Sequence, residues 1–224
     1  MSDASNPATI AVIGGTGHLG GALARRWARS GRRVLLGSRD AGKARDAALA
    51  LSNETGVKVE GGANRDVAER ALIVVVTVPF GSQAATLTDI RDVVQGKLVV
   101  DCTVPLVPPR VMRVQLPAEG CAAAIAQRIL GEQVSIVSAF HNVAAHKLAT
   151  DAAVDCDVLV FGEQRDARET VVRLAEAAGL RGLHAGSLAN SAAAEALTSI
   201  LIFVNKHYGI DGAGVRLTGS FGAK

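Results

Sequence analysis

The chain has 224 residues, of which 49% are hydrophobic, 20% are charged and only 3% are aromatic. This composition excludes intrinsic disorder over most of the length, and the length allows one substantial core or two unequal ones. With 24 Lys and Arg against 21 Asp and Glu, the formal net charge of +3 gives only a mild basic bias.

The sequence has no pattern typical of a secretory signal, a membrane span or a set of disulfides. Residues 1–8 are polar and acidic, and they lack the basic and apolar regions of a secretory signal. The longest apolar stretches, such as residues 71–80, are about ten residues, well short of the roughly 20 that a membrane-spanning helix needs. Cys102, Cys121 and Cys156 are too few and too far apart for a disulfide framework or a metal site. We therefore expect a cytoplasmic protein without a membrane span or a metal.

Short runs rich in Val, Ile and Leu alternate with amphipathic stretches of helical length, which predicts a parallel sheet. The runs are continuously apolar, as strands covered on both faces should be. The predicted strands of this region are residues 9–13, 33–36, 57–60, 72–77, 98–100 and 134–138. The predicted helices between them are residues 18–30, 41–52, 65–70, 83–94 and 119–130.

After residue 138 the pattern changes. A loop-like stretch extends through residue 155, and it precedes a strand at 158–161, a helix at 166–178, an extended piece near Leu183 and a long apolar helix at 189–208. We predict an α/β fold in which residues 1–140 form a Rossmann-like parallel sheet with helices on both faces. Residues 141–224 would form a smaller C-terminal α/β domain packed on it.

A glycine-rich segment lies where the first predicted strand gives way to the first helix. Gly15, Gly17 and Gly20 form G-x-G-x-x-G there, which suits a tight turn, close approach of backbone to a pyrophosphate and close packing of helix against strand. The helix N-terminus would offer free N–H groups and a partial positive charge to the anion. The segment predicts dinucleotide binding by residues 1–140.

The end of the second predicted strand indicates which dinucleotide. NAD sites usually place Asp or Glu about 20 residues beyond the glycine motif, but this chain has Ser38 and Arg39 there, with Lys43 on the next helical turn. A hydroxyl and two cations suit a 2′-phosphate, so the pattern favours NADP. The alternatives are a solvated helix start, or Asp40 as a displaced ribose ligand.

Two proline-containing segments follow predicted strands at the carboxyl edge, where open α/β sheets bind ligands. Val78 and Pro79 follow the fourth strand, and Pro79 would turn the chain across the cofactor. Val104 and Pro105 follow the fifth strand and would line the same crevice near the nicotinamide. An alternative of equal weight is that the prolines of this second segment only end the strand and do not contact the cofactor.

Together these segments resemble the NADPH-dependent coenzyme F420 reductases, also called F420:NADP oxidoreductases. The resemblance is carried by residues 14–20 (GGTGHLG), 37–43 (GSRDAGK), 77–80 (TVPF), 138–141 (SAFH) and 186–191 (GSLANS), which follow the family's order. The first three would also fit membrane-bound ferric reductase domains. The family moves a hydride between NADPH and the 5-deazaflavin ring of F420. The resemblance thus implies NADP(H) as cofactor and F420 as co-substrate.

The resemblance also implies particular site residues. It places the phosphate loop on Thr16, Gly17, His18 and Leu19, the 2′-phosphate group on Ser38, Arg39 and Lys43, and further NADP contacts on Val78, Val104 and Ala145. His18 stands where the family commonly has Asn. Val143, Ala144 and Ala145 stand where family members often show a Pro, near the deazaflavin pocket.

Hydride transfer between two bound rings needs neither a nucleophile nor a metal. A hydrogen-bond donor near the pyrimidine end of the deazaflavin would stabilise the charge that develops there, and His141 is the candidate. The alternative is a His that fixes the loop through backbone bonds. Asn190 and Ser191 would contact the second cofactor or cap the long helix, with capping favoured for one of them. In a chain poor in aromatics, Phe80 and Phe140 are the rings to test for cofactor contact.

The sequence therefore predicts an oxidoreductase that exchanges a hydride between NADP(H) and F420. The alternatives are an NADPH-dependent reductase of a flavin, a ferric chelate or an imine, and a non-catalytic NADPH-sensing module. The apolar stripe of the long helix predicts a homodimer. The arginines of residues 25–33 predict a solvated helix face instead of a nucleic-acid site, because no aromatics interleave with them.

Overall fold

Six parallel strands form the main sheet in the order β3-β2-β1-β4-β5-β6 in a computed structural model that describes residues 8–220. The strands are β1 (Ile10–Ile13), β2 (Val34–Ser38), β3 (Glu60–Ala63), β4 (Ile73–Val76), β5 (Leu98–Asp101) and β6 (Ser135–Ser138). In the register, Ile10 pairs with both Val34 and Ile73. Residues 1–7, which carry most of the expectation that no secretory signal is present, lie outside the described residues, as do residues 221–224.

Helices cover both faces of this sheet. They are α1 (His18–Arg29), α2 (Ala41–Thr55), α3 (Asn64–Arg70), α4 (Phe80–Ile90) and α5 (Ala122–Leu130). Alternate residues of β1 enter different hydrophobic clusters, since Ile10 and Val12 pack with α1 and α2, whereas Ala11 and Ile13 pack with α3, α4 and α5. The predicted Rossmann-like α/β fold is confirmed.

Some boundaries differ from those predicted. The third strand covers Glu60–Ala63 instead of residues 57–60, because Gly61 and Gly62, which disfavour strands, are used for close packing. A Cβ on Gly61 would lie 2.2 Å from the Ala44 carbonyl oxygen of α2. Helix α5 begins at Ala122, where the Cys121 thiol accepts a hydrogen bond from the Ala124 N–H.

The C-terminal part contains α6 (Ala145–Leu148), β7 (Asp157–Val160), α7 (Arg165–Ala177), β8 (Arg181–His184), a 3₁₀ turn (Leu188–Asn190) and α8 (Ser191–Tyr208). The sequence did not predict α6. Strands β7 and β8 pair in parallel, and an antiparallel bridge between Ser138 and Phe161 joins them to β6. One hydrophobic cluster extends from β1 to Leu180, so the domain boundary at residue 140 stays a prediction.

Trp27 lies at the centre of the cluster that joins the two parts. Its side chain is fully buried, its Nε1 donates a hydrogen bond to the Leu174 carbonyl at 2.8 Å, and its ring meets Phe140 edge-on at 6.0 Å. Because Phe140 is itself buried against Trp27, the suggestion that it contacts a cofactor ring is wrong. Phe80, at the start of α4, stays a candidate.

Two of the arginines on α1 do not form a solvated face. Arg26 donates hydrogen bonds to the carbonyls of Leu148, Thr150 and Ala152, and Arg25 pairs with Glu54 and Asp151. They tie α1 to the connection between α6 and β7, so the prediction of a solvated face is wrong for both. The absence of a nucleic-acid partner stays a prediction.

The region Leu188–Tyr208 has a mean hydropathy of 1.3 over its best window and is long and apolar enough to cross a membrane, by length and composition only. The expectation that the longest apolar stretches are about ten residues is wrong for this region, in which polar residues such as Glu195 are interspersed among the apolar ones. One such helix is weak evidence, since core helices of other proteins pass the same test.

Candidate functional site

The carboxyl ends of all six parallel strands lie at one edge of the sheet, and the predicted site residues follow them. Gly15 follows β1, Arg39 follows β2, Val78 and Pro79 follow β4, Val104 follows β5 and His141 follows β6. Because the strand order reverses direction between β1 and β4, this edge contains the crevice in which open α/β sheets bind ligands. Segments far apart in sequence are thereby brought together.

The glycine-rich loop has the geometry of an anion site. Gly14 has a φ of +76°, and a Cβ on Gly20 would lie 2.4 Å from Thr77 Oγ1 and 2.7 Å from the Gly14 carbonyl oxygen. Gly17 is the N-cap of α1, and neither a side-chain cap nor an acidic residue satisfies the first turn. The loop therefore presents unsatisfied N–H groups and the positive end of the helix dipole beside exposed Thr16 and His18, with Leu19 half-buried.

The residues assigned to the 2′-phosphate surround the N-terminus of α2. Ser38 is half-buried at the end of β2, and Arg39 and Lys43 are exposed. The Asp40 carboxylate accepts hydrogen bonds from the N–H groups of Gly42 and Lys43, which makes it the N-cap of α2. This role accounts for Asp40 without a ribose contact.

Two adjoining cavities of about 420 and 170 Å³ lie between this group and α4. The larger extends to Asp89 on α4, and the smaller extends to Gly17 and Val78. Ser38 and Arg39 line both, and so do Asn64, Ser82 and Thr86. Lys43 lies beside the cavities on α2 without lining them. The two cavities together form a continuous crevice from the phosphate loop to the 2′-phosphate residues.

Asn64 is a site residue that sequence reasoning missed. It is buried at the start of α3, and its Oδ1 has no hydrogen-bond partner among the described residues. Gly37 permits this position, because a Cβ there would lie 2.9 Å from Asn64 Oδ1. A buried amide oxygen without a donor suits a polar ligand group, such as the amino group of an adenine. A polar residue directly after β3, at the carboxyl edge, was the available signal.

Four further residues were predicted to contact NADP, and they do not all lie in the crevice. Val78 and Pro79 line the smaller cavity, and Pro79 is the N-cap of α4. Val104 is half-buried after β5, at the same edge. Ala145 opens α6, which packs against α1, and it lies outside both cavities. The crevice thus contains two of these four residues, and Val104 and Ala145 stay predictions.

His141 is held at the end of β6 by a turn that Phe140 makes with a φ of +67°, in the left-handed region that is rare for residues other than glycine. This turn brings His141 Nε2 to 2.7 Å from Ser138 Oγ. Burial lowers the pKa of His141 to about 4, so its imidazole is neutral at neutral pH. The His141 imidazole thus bonds to the Ser138 side chain and not, as the alternative role had required, to the backbone.

His141 also lines a cavity of about 180 Å³ together with Ala144 of the departing loop and Thr198 of α8. The Thr198 hydroxyl donates a hydrogen bond to the His141 carbonyl at 3.1 Å. The capping expected of Asn190 or Ser191 is not found: Asn190 occupies the N-cap position without a side-chain cap, and Ser191 Oγ lies 2.6 Å from Ser138 Oγ. This cavity therefore lies between the β6 turn and the middle and C-terminal turns of α8.

The described residues 8–220 contain no group of three His, Cys, Asp or Glu side chains that could hold a metal ion. The fold, the uncapped phosphate loop and the cationic group after β2 define a Rossmann-type dinucleotide-binding protein.

Comparison with known proteins identifies the family. Residues 9–105 match the family model described as NADP oxidoreductase coenzyme F420-dependent. The chain is 42% identical over 218 residues to the F420-dependent NADP reductase of Methanothermobacter thermautotrophicus, covering 93% of this chain and 94% of that one. It is 34% identical over 219 residues to the enzyme of the same name from Methanocaldococcus jannaschii, covering 93% and 97%. The chain belongs to the F420-dependent NADP reductase family.

A solved structure agrees with this assignment. A crystal structure from Arthrobacter sp. FB24, provisionally described as an F420-dependent NADP reductase, superposes with a TM-score of 0.80 at 26% identity. The match covers 94% of this chain and 99% of that one. The fold is therefore shared over nearly the whole length.

Proposed function

We propose that this protein transfers a hydride between NADP(H) and the deazaflavin coenzyme F420. The observation that carries the proposal is the crevice in which Ser38 and Arg39 adjoin an uncapped phosphate loop, in a chain of this family. When bound, the nicotinamide and deazaflavin rings supply the hydride chemistry themselves. The chain's own residues bind and orient the rings and exclude water.

The residues present fit NADP(H). The first turn of α1, N-capped by Gly17 without a side-chain bond, would hold the pyrophosphate. Ser38, Arg39 and Lys43 would hold the 2′-phosphate, and the unpartnered Oδ1 of Asn64 would accept a hydrogen bond from the adenine. His141 would present its unpartnered Nδ1 to the deazaflavin. The chain thus provides a polar group for each end of the cofactor pair.

The activity is tested by mixing the protein with NADPH and oxidised F420, and with NADP⁺ and reduced F420, while the visible absorbance of oxidised F420 is followed. We expect turnover in both directions. Parallel reactions replace F420 with FMN, a ferric chelate or a cyclic imine. Turnover of one of these without turnover of F420 would establish a reductase of another acceptor, and NADPH binding without turnover of any acceptor would establish a sensing module.

Arg39→Ala is expected to raise the KM for NADPH by about 10- to 100-fold, because a charge-assisted hydrogen bond contributes about 1.5–3 kcal/mol. The KM for NADH, which lacks the 2′-phosphate, should change by less than about twofold. Steady-state kinetics with both nucleotides measure the two effects. Arg128→Ala, which removes an exposed arginine that lines neither cavity, is the control and should leave the ratio of the two KM values unchanged. Equal effects of Arg39→Ala on both nucleotides would exclude the 2′-phosphate assignment.

We also propose that the protein is a cytoplasmic homodimer. Ile200 and Phe203 on α8 are 47% and 50% exposed, and Tyr208, Ile210 and Leu217 farther along the chain are also exposed. Apolar patches of this kind are commonly covered by a partner. Cys102, Cys121 and Cys156 are free thiols, which agrees with a reducing compartment.

Light scattering without detergent should give twice the 23.0 kDa of one chain. Phe203→Glu places a charge on the proposed interface and should give the monomer mass, with unchanged circular dichroism. A wild-type mass of one chain would contradict the dimer, and recovery of the expressed protein in the membrane fraction would contradict the cytoplasmic assignment.

A further inference from the structure

A continuous chain of four polar side chains crosses the buried space between β6, α5 and α8. His141 Nε2 lies 2.7 Å from Ser138 Oγ, which lies 2.6 Å from Ser191 Oγ, which lies 2.9 Å from Glu195 Oε1. All four residues are buried. None of the four residues lines the two cavities of the NADP crevice, so binding of the nucleotide does not account for this row of polar groups.

At one end of this row of four side chains, Glu195 lies at the N-terminus of α5. Its Oε2 accepts a hydrogen bond from the Ala122 N–H at 2.6 Å, and its Oε1 accepts one from the Ala123 N–H at 3.2 Å. Among residues 8–220 no salt bridge includes Glu195. The carboxyl group is therefore held by two backbone donors and one hydroxyl, without a cation to keep it charged.

The groups that face Glu195 oppose its ionisation. Asp101 at the end of β5 and the Cys121 thiol at the start of α5 are its titratable neighbours, and His141 lies at the far end of the chain. Burial, with a smaller contribution from Asp101, raises the pKa of Glu195 to about 7, although its three hydrogen bonds act in the opposite direction. The carboxyl therefore exchanges a proton near neutral pH.

At the other end of this row of side chains, the His141 ring has one nitrogen left over. His141 Nδ1 is buried and has no hydrogen-bond partner among the described residues, although leaving a buried polar nitrogen without a partner is unfavourable. The residue follows β6, which pairs with β5 in the sheet, and it lies at the carboxyl edge where the two rings of the proposed function would meet. An acceptor on a bound ring would provide the missing partner.

We propose that His141, Ser138, Ser191 and Glu195 form a proton relay, with Glu195 as the internal store for the proton that accompanies hydride transfer. This inference rests on the proposed function, because reduction of the deazaflavin by NADPH takes up one hydride and one proton. Glu195 acts through the other three residues and is a positioning and proton-holding residue. His141 is the member that would touch the cofactor.

The proton transfer balances along the chain. His141 donates its Nδ1 proton to the reduced ring and receives a proton at Nε2 from Ser138, which receives one from Ser191, which receives one from the Glu195 carboxyl. Glu195 is left as a carboxylate, stabilised by the Ala122 and Ala123 N–H groups. The reverse reaction returns the proton by the same steps. After the reduced ring leaves, a solvent proton taken up at His141 Nδ1 lets the Nε2 proton pass back through Ser138 and Ser191 to Glu195, which restores the starting state.

The first test needs no cofactor. Infrared difference spectra of the wild-type protein, recorded from about pH 5 to about pH 9, cover the range in which shifted carboxyl groups titrate. We expect a protonated carboxyl band that disappears around pH 7 and is absent from Glu195→Gln. Asp101→Asn is the matched control, because it removes the neighbouring buried carboxyl, whose pKa burial raises to about 6, and leaves the relay intact. A Glu195→Gln spectrum identical to the wild type would overturn the proposal.

The second test measures kcat against pH. For NADPH with oxidised F420 the wild-type kcat should fall as pH rises through about 7, because protonated Glu195 is needed, and for NADP⁺ with reduced F420 it should rise. Glu195→Gln keeps an acceptor for the helix N–H groups but has no proton to release. It should lose this pH dependence and about 100-fold of kcat, in the range of general acid–base effects.

Ser191→Ala interrupts the relay and leaves the carboxyl in place. It should keep the infrared band and lose the pH dependence of kcat, with the KM for NADPH changed by less than about twofold. The infrared band could titrate as expected while neither Glu195→Gln nor Ser191→Ala changes the pH dependence of kcat. That result would show that these hydrogen bonds only hold α8 in place, and it would also overturn the relay. Failure of the wild type to turn over F420 would instead contradict the proposed function, and the infrared result would be unaffected.

Discussion

Gly20→Ala is expected to reduce the affinity for NADPH by at least about 100-fold. The added methyl group would lie 2.4 Å from Thr77 Oγ1, 2.7 Å from the Gly14 carbonyl oxygen and 3.0 Å from the Gly15 Cα. Two of these atoms belong to the backbone of the phosphate loop, so the first turn of α1 must move away from the loop. Its N–H groups would then lose their charge-assisted bonds to the pyrophosphate, each of which contributes about 1.5–3 kcal/mol. Isothermal titration calorimetry with NADPH measures the loss.

Gly21→Ala is the matched control on the same helix. A Cβ there would meet only the Gly15 carbonyl oxygen, at 3.4 Å, so no displacement of the loop is required. Its NADPH affinity should stay within about twofold of the wild type, and the helix should gain about 0.5–1 kcal/mol of stability over glycine. If the two variants bind NADPH equally well, the close approach of α1 to the loop is not needed for binding.

Trp27→Ala is expected to lower the free energy of unfolding by about 3–5 kcal/mol, the range for removing a buried aromatic side chain. Trp27 is fully buried between the main sheet and the C-terminal part, where its ring contacts Phe140 and its Nε1 bonds to Leu174. The substitution leaves a cavity and an unpaired carbonyl at the junction of both parts. Urea unfolding followed by circular dichroism measures the change.

Trp27→Phe separates packing from hydrogen bonding. It keeps an aromatic ring against Phe140 and loses the donor to the Leu174 carbonyl, so it should cost about 1–3 kcal/mol and less than the alanine variant. A loss below about 1 kcal/mol for Trp27→Ala would mean that this junction contributes little to folding. Separate unfolding transitions for the two parts would mean that they fold independently, in support of a domain boundary near residue 140.

The parts of the site that could be predicted from sequence are local. Gly15, Gly17 and Gly20 lie within six residues between a strand and a helix, and Arg39 follows the next strand directly. Their geometry depends on short-range backbone sterics and on the position of the strand ends, both of which a sequence pattern expresses. The same reasoning predicted most of the strands and helices, and with them the sheet with helices on both faces.

The parts that could not be predicted depend on contacts between distant residues. Ser138 and Ser191 are separated by 53 positions, and Ala122 and Glu195 by 73, yet each pair is within hydrogen-bond distance. Ser191 looked like a helix cap because its local sequence allows one. Arg26 looked exposed because its carbonyl acceptors belong to a connection more than 120 residues away.

The sequence by itself determined the class of fold, the phosphate loop and the cationic group that favours NADP, because hydrophobic periodicity and glycine sterics act over a few residues. Only the tertiary structure decided that Asn64 lines the cofactor crevice with an oxygen that has no partner within residues 8–220, and that Glu195 meets the N-terminus of α5. Burial, hydrogen-bond partners and pKa values are set by whichever segments the folded sheet brings together.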